Sequence, residues 1–122
     1  MYNKEKMKQL LYEANHVDPM NDYAYFSKIK EIMTLLQSRE DLNEFSQYME
    51  HMTRDEYGIL GSFIDEIDAK YVTRNFTEAL KKLIKKYPLD LPKDYKDPQI
   101  EQVMLEAFEE ELNRREKEAT ED

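Results

Sequence analysis

Apolar residues recur every three or four positions along most of the chain, which is the spacing of one face of an α-helix. Six segments show this spacing, and most of them begin at a residue whose side chain can cap a helix. The first covers residues 4–15. The others follow, in chain order, Asp18-Pro19 or else Asn21 or Asp22, then Ser38, Thr53, Thr73 or Asn75, and Asp97-Pro98. The pattern predicts an all-α protein, an irregular bundle of about five short helices plus a longer C-terminal helix.

The fourth segment contains both glycines of the chain, Gly58 and Gly61. Its apolar spacing continues from Tyr57 to Tyr71 and predicts one helix over that whole stretch. Glycine inside a helix costs roughly 1 kcal/mol relative to alanine, so two of them need a reason. On a helical wheel the residues opposite the apolar stripe form a small-residue ridge of Gly58, Ser62, Asp65 and Ala69, with Gly61 at its border. Three explanations remain open: packing against the chain's own last helix, exposure to solvent, or contact with a partner or second copy.

Three of the four prolines lie between residues 88 and 98. Because proline disfavours helical angles in the residue before it, we expect residues 88–97 to be an extended connector to the last helix. Beyond Leu112 the only apolar residue is Ala119, so residues 113–122 are expected to form a charged, frayed tail. We therefore expect a single helical domain over residues 1–112, a common domain length.

The composition narrows the possible functions. The chain has 122 residues and no cysteine, which excludes thiol catalysis, disulfide bonds and cysteine-based zinc sites. Its first residues lack the apolar run of a signal peptide, and no stretch approaches membrane-spanning length. We expect a cytoplasmic protein that does not enter the membrane. The lysine-, asparagine- and tyrosine-rich composition suggests an AT-rich genome of bacterial or phage origin.

The net charge of −9 is distributed unevenly along the chain. Residues 37–69 contain two basic and nine acidic side chains, whereas residues 70–98 contain eight basic and four acidic ones. The basic stretch includes a cluster that could contact phosphate or an acidic protein, namely Lys81, Lys82, Lys85 and Lys86. The alternative is the wet side of an amphipathic helix whose last-turn lysines offset the helix dipole. Direct nucleic-acid binding is not favoured, because no aromatic residues interleave with these lysines.

Motifs for catalysis or metal binding are incomplete. Glu13 and His16 have the E-x-x-H spacing of di-iron bundles, but the second pair is absent, since Tyr48 stands three residues before His51. The two glycines cannot build a phosphate-cradling loop, and no nucleophile–base pattern is present. The sequence therefore predicts a protein that is not an enzyme and holds no cofactor or metal. A metal enzyme that uses Glu13 and His16 is the rival hypothesis.

The remaining signal is an acidic helical surface that contains tyrosine. Tyrosine and methionine are enriched at protein interfaces, and the chain has nine and seven of them. The sequence predicts a small protein-protein interaction module, such as an adaptor, inhibitor or immunity-type protein, whose partner is another and possibly basic protein. The expected contact residues are Glu44, Tyr48, Asp55, Gly58, Ser62, Asp65 and Asp68. Two alternatives stay open: an assembly protein that self-associates through Gly58, Ser62, Ala69 and the last helix, and an inhibitor that imitates nucleic acid.

Overall fold

The computed structural model describes residues 1–88 and 99–120, and these residues form an all-α protein. The predicted fold class is confirmed: six helices are present in these ranges, and the last is the longest. They are α1 Lys4–Asn15, α2 Asp22–Met33, α3 Arg39–Met49, α4 Arg54–Phe63, α5 Arg74–Lys86 and α6 Ile100–Thr120. The predicted connector, residues 88–97, lies almost entirely outside the described residues. Only its first residue, Pro88, is described.

The first five helices begin at a polar residue whose side chain accepts a hydrogen bond from the helix backbone. These N-caps are Asn3, Asn21, Ser38, Thr53 and Thr73. At Thr53 the cap is reciprocal, because the Glu56 carboxylate also accepts a hydrogen bond from the Thr53 backbone N–H at 2.9 Å. Each cap satisfies a backbone donor that has no partner inside its own helix. The predicted helix starts at Ser38 and Thr53 are confirmed, and of the alternatives Asn21 and Thr73 are the caps. A start at Asp18-Pro19 is wrong, because the Asn21 N–H donates to the Asp18 carbonyl in a turn that precedes α2.

The core lies where the apolar stripes of the helices meet. Helix α1 packs against α2 and α4, α3 packs against α5, and α5 packs against α6. Four fully buried phenylalanine rings link these layers: Phe45 is 6.3 Å from Phe63 and 6.5 Å from Phe76, and Phe76 is 5.8 Å from Phe108. This chain of rings joins α3, α4, α5 and α6 into one cluster.

The predicted helix from Tyr57 to Tyr71 is wrong in its second half. Helix α4 ends at Phe63, and two short 3₁₀ turns follow, Ile64–Glu66 and Ala69–Tyr71. Between them Ile67 and Asp68 are extended, with ψ angles of 125° and 122°. Along this path Ile64, Ile67 and Val72 are all buried. The Asp68 side chain caps the second turn by accepting a hydrogen bond from the Lys70 N–H.

Helix α6 continues to Thr120, eight residues beyond the predicted end of the domain. The reason is a set of contacts to other parts of the chain. The Arg115 guanidinium donates to the carbonyls of Val72, at 2.9 Å, and Ala69. Arg74 donates to the Glu116 carboxylate at 2.9 Å. Residues 113–120 are therefore helical and bound to the rest of the fold, where the sequence predicted a frayed tail, and residues 121–122 lie outside the described ranges.

Candidate functional site

Three of the seven predicted contact residues line one groove between α1 and α3. Glu44 and Tyr48 come from α3 and Asp55 from the first turn of α4, which closes the bottom. The groove, called here the α1–α3 groove, has a volume of about 810 Å³. That size lies within the range of about 300–1,000 Å³ that is usual for ligand-binding sites.

The α1 wall of the groove consists of residues that share one helix face. Lys4, Lys8, Leu11, Tyr12 and Asn15 each lie three or four positions from another member of the set, so they share one side of the helix along about three turns. The opposite wall is built in the same way, from Glu44, Gln47, Tyr48 and, just beyond α3, His51. Thr53, Glu56 and Tyr2 complete the lining. Both walls are thus carried by regular helices.

Hydrogen bonds connect neighbouring elements at both ends of the groove. At one end the Tyr2 backbone N–H donates to the Asp41 carboxylate on α3 at 2.7 Å, and the Tyr2 ring lies 6.1 Å from the Phe45 ring. At the other end the Asn15 side-chain amide is 3.5 Å from the Asp55 carboxylate. These contacts hold the two walls apart at a defined width.

The Tyr2 and Tyr48 hydroxyls, which line the groove, are held protonated. Tyr48 donates a hydrogen bond to Glu56, and burial together with that carboxylate raises the pKa of the Tyr48 phenol. Burial, assisted by the nearby charge of Glu44, raises the pKa of Tyr2 as well. The Tyr2 hydroxyl is buried without a hydrogen-bond partner in the described part of the chain. The groove therefore presents neutral aromatic rings at neutral pH.

Opposite charges face each other across the groove. Lys4 and Lys8 stand on the α1 wall, Glu44 stands on the α3 wall, and Asp55 stands where α4 closes the groove. Within residues 1–88 and 99–120 none of these four side chains forms an ion pair. Elsewhere charges do pair across helices, as in Lys81 with Glu109 at 2.9 Å. The groove thus has one basic and one acidic wall whose charges are available to a ligand.

The small-residue ridge does not exist as one surface. A methyl group built on Gly61 would overlap the Glu101 carboxylate of α6. The Ser62 hydroxyl accepts a hydrogen bond from the Tyr25 hydroxyl of α2 at 2.6 Å. Internal packing therefore accounts for Gly61 and Ser62. Gly58 is exposed, and among the described residues, apart from the backbone of its own helix, nothing lies within 4 Å of a methyl group built on it.

The ridge was predicted on the assumption of one helix through residue 71, and the chain leaves that helix after Phe63. Asp65 and Asp68 are exposed on the segment that follows, away from the groove, and Asp68 lies 3.6 Å from Lys70.

The predicted basic cluster is partly neutralised inside the fold. Lys81 pairs with Glu109 of α6 and Glu78, and Lys82 lies 3.7 Å from Glu50. Lys86 stands over the Tyr87 ring at 5.2 Å, and Lys85 is exposed. The four lysines thus face different neighbours.

The E-x-x-H pair is also engaged locally. Glu13 lies 3.4 Å from Lys28 of α2, and the His16 ring nitrogen Nδ1 lies 2.8 Å from the Tyr12 carbonyl. In the described part of the chain no three His, Asp or Glu side chains are grouped closely enough to hold a metal ion.

Sequence reasoning missed the α1 wall of the groove, including Lys4, Lys8 and Tyr12, and it missed Gln47 and His51 on the α3 side. Their helical spacing marks exposed faces of two helices, but the pattern does not say that those faces lie opposite each other.

Comparison with protein-family models, curated proteins and solved structures finds no match to this chain. Among the described helices none combines the length and apolar character needed to cross a membrane.

Proposed function

We propose that the protein is a non-catalytic protein-interaction module of the cytoplasm, an adaptor, inhibitor or immunity-type protein, that binds a segment of another protein in the α1–α3 groove. The observation that carries the proposal is the groove itself, which combines tyrosine rings with unpaired charges of both signs on two rigid walls.

The lining suits protein recognition. Tyr2, Tyr12 and Tyr48 offer large flat surfaces at low entropic cost, a property that enriches tyrosine at protein interfaces. Tyr12 is 63% exposed, and its ring is stacked on His16 at 4.0 Å, so this apolar surface faces solvent in a held orientation. A partner that covers it would bury apolar area without first ordering the site.

The proposal is tested by site-specific photo-crosslinking in the source cytoplasm. A photoreactive phenylalanine analogue replaces Gln47, which is exposed in the groove, and in a matched variant it replaces Ser27, which is exposed on the outer face of α2. We expect a covalent adduct with one defined protein from position 47 and none from position 27. Adducts of equal yield at both positions, or none at position 47, would contradict a groove-bound partner.

A second candidate function, assembly by self-association, is favoured by one observation. Ile100 and Val103, at the start of α6, are each 40% exposed, and Ile100 approaches Gly61. Light scattering on the purified protein tests it: a defined oligomer that Val103→Glu converts to a monomer supports assembly, and a monomeric wild type refutes it. The nucleic-acid-mimicking inhibitor stays a variant of the main proposal, and it requires that partner binding collapse with added salt and be competed by DNA.

A further inference from the structure

The two walls of the α1–α3 groove differ in charge, and this restricts what can lie between them. A ligand with one sign of charge would satisfy one wall and be repelled by the other. Lys4 and Lys8 are one helical turn apart on α1, Glu44 lies on α3, and Asp55 lies at the first turn of α4, which closes the groove. A partner that pairs with both walls needs acidic groups along one flank and basic groups along the other.

The floor of the groove adds a third requirement. The partly exposed rings of Tyr2 and Tyr48 contribute apolar surface between the charged side chains. A matching ligand therefore has an apolar stripe bordered by two charged rows. Three such parallel rows are the geometry of an amphipathic helix, in which positions three and four apart share a face.

Backbone hydrogen bonding also favours a helix over an added β-strand. A peptide that binds by adding a strand needs an unpaired strand edge, and the described residues contain no strand. A helix satisfies these groups internally and presents only side chains. From Lys4 to Asn15 the α1 wall covers eleven helical steps, or about 16 Å, which accommodates about three turns of a partner helix.

Resting on the proposed function, we infer that the occupant is an amphipathic helix of a partner protein. Its apolar stripe packs on Tyr2 and Tyr48, its acidic row faces Lys4 and Lys8, and its basic row faces Glu44 and Asp55.

A displayed library of helical peptides tests the inference. Each peptide has about 18 residues, a fixed apolar stripe and lysine or glutamate randomised in both flanking rows. Selection on the wild-type protein is expected to enrich peptides with one acidic and one basic row. Charge reversal of either wall, Lys4→Glu with Lys8→Glu or Glu44→Lys with Asp55→Lys, is expected to weaken the enriched peptides about tenfold or more.

Two controls make the result specific. Lys6→Glu reverses a charge on the exposed opposite face of α1 and is expected to leave affinity unchanged within about twofold. A protein with both walls reversed is expected to regain binding to a peptide whose two charged rows are exchanged.

The outcomes separate the two levels of the claim. The variant Gln47→Trp places a bulky side chain in the groove. If it abolishes binding of the enriched peptides but those peptides show no preferred charge rows, the amphipathic charge pattern is overturned and a groove-binding function remains. Peptides that bind independently of Gln47→Trp, or no enrichment at all, would overturn the inference and the helix-binding form of the proposed function together.

Discussion

Replacing Gly58 with alanine adds one methyl group to the middle of α4, at a position where the structure leaves room for it. A methyl group built there meets no atom within 4 Å, whereas one built on Gly61 overlaps the Glu101 carboxylate and comes within 3.5 Å of its Cδ. Neither glycine has a positive φ angle, so alanine fits the backbone at both positions. The two glycines therefore form a matched pair that differs only in its surroundings.

The expected magnitude follows from helix propensity. Alanine in a helix interior is more favourable than glycine by about 0.8–1 kcal/mol, so Gly58→Ala should raise the free energy of unfolding by about that amount. For a domain of this size we expect an increase in Tm of about 3–5 °C. Gly61→Ala gains the same propensity but must displace Glu101, which is only 7% exposed, at a cost of about 1–3 kcal/mol. Its net effect should be close to zero or destabilising.

Urea unfolding followed by circular dichroism measures both variants, with the m-value as the check that the unfolding transition is otherwise unchanged. In a Glu101→Ala background, Gly61→Ala should recover the stabilisation because the obstructing carboxylate is gone. A Gly58→Ala protein no more stable than wild type, or equal effects at the two glycines, would refute the reasoning. In that case the space around Gly58 would not be open as the structure shows.

Three further predictions concern stability. Thr53→Ala removes the N-cap of α4 and should lower the free energy of unfolding by about 1 kcal/mol in urea titrations, and an unchanged value would contradict the capping role. Arg115→Met leaves the main-chain carbonyls of Val72 and Ala69 without their donor and should lower the free energy of unfolding by about 1–3 kcal/mol. The control Arg114→Met breaks ion pairs within α6 and should change that free energy by less than about 0.5 kcal/mol. Burial raises the pKa of Tyr57 to about 12, and an unfolded tyrosine ionises near pH 10. Stability should therefore be complete below about pH 10 and fall as the pH rises from 10 towards 12, because the unfolded chain loses its proton first, and Tyr57→Phe should make that fall shallower in urea titrations at pH 8 and 11.

The helix starts were predictable because a cap is a local interaction. Ser38, Thr53 and Thr73 accept hydrogen bonds from residues three positions later, so the side chain and its donor occur together in the sequence. The apolar faces were predictable for the same reason, since helical spacing sets which side chains share a face.

The end of α4 was not predictable from spacing. Ile64 and Ile67 fit a continuous helix and also fit the observed 3₁₀ turns, so the pattern does not distinguish them. The turns are stabilised by Arg115, which lies 43 residues from Val72 and 46 from Ala69 in the chain. The same contacts keep α6 helical past Leu112, where local sequence contains no further core residues.

Three residues of the candidate site were predicted from the sequence, and the α1 wall was not. Glu44, Tyr48 and Asp55 were expected to contact a partner because they are acidic or aromatic and fall on outer helix faces, and the structure brings them together. Nothing in the pattern placed Lys4 and Lys8 opposite them, so a purely acidic surface was expected where a groove with walls of opposite charge is found.

The sequence by itself determined the all-α class and the helix starts at Ser38, Thr53 and Thr73, because caps and apolar periodicity act over one or two turns. The tertiary structure alone decided where α4 breaks, that Gly61 lies under Glu101, and that α1 and α3 enclose a groove. Each of these depends on contacts between residues far apart in the chain, and the free energy of such contacts is settled only when the helices pack together.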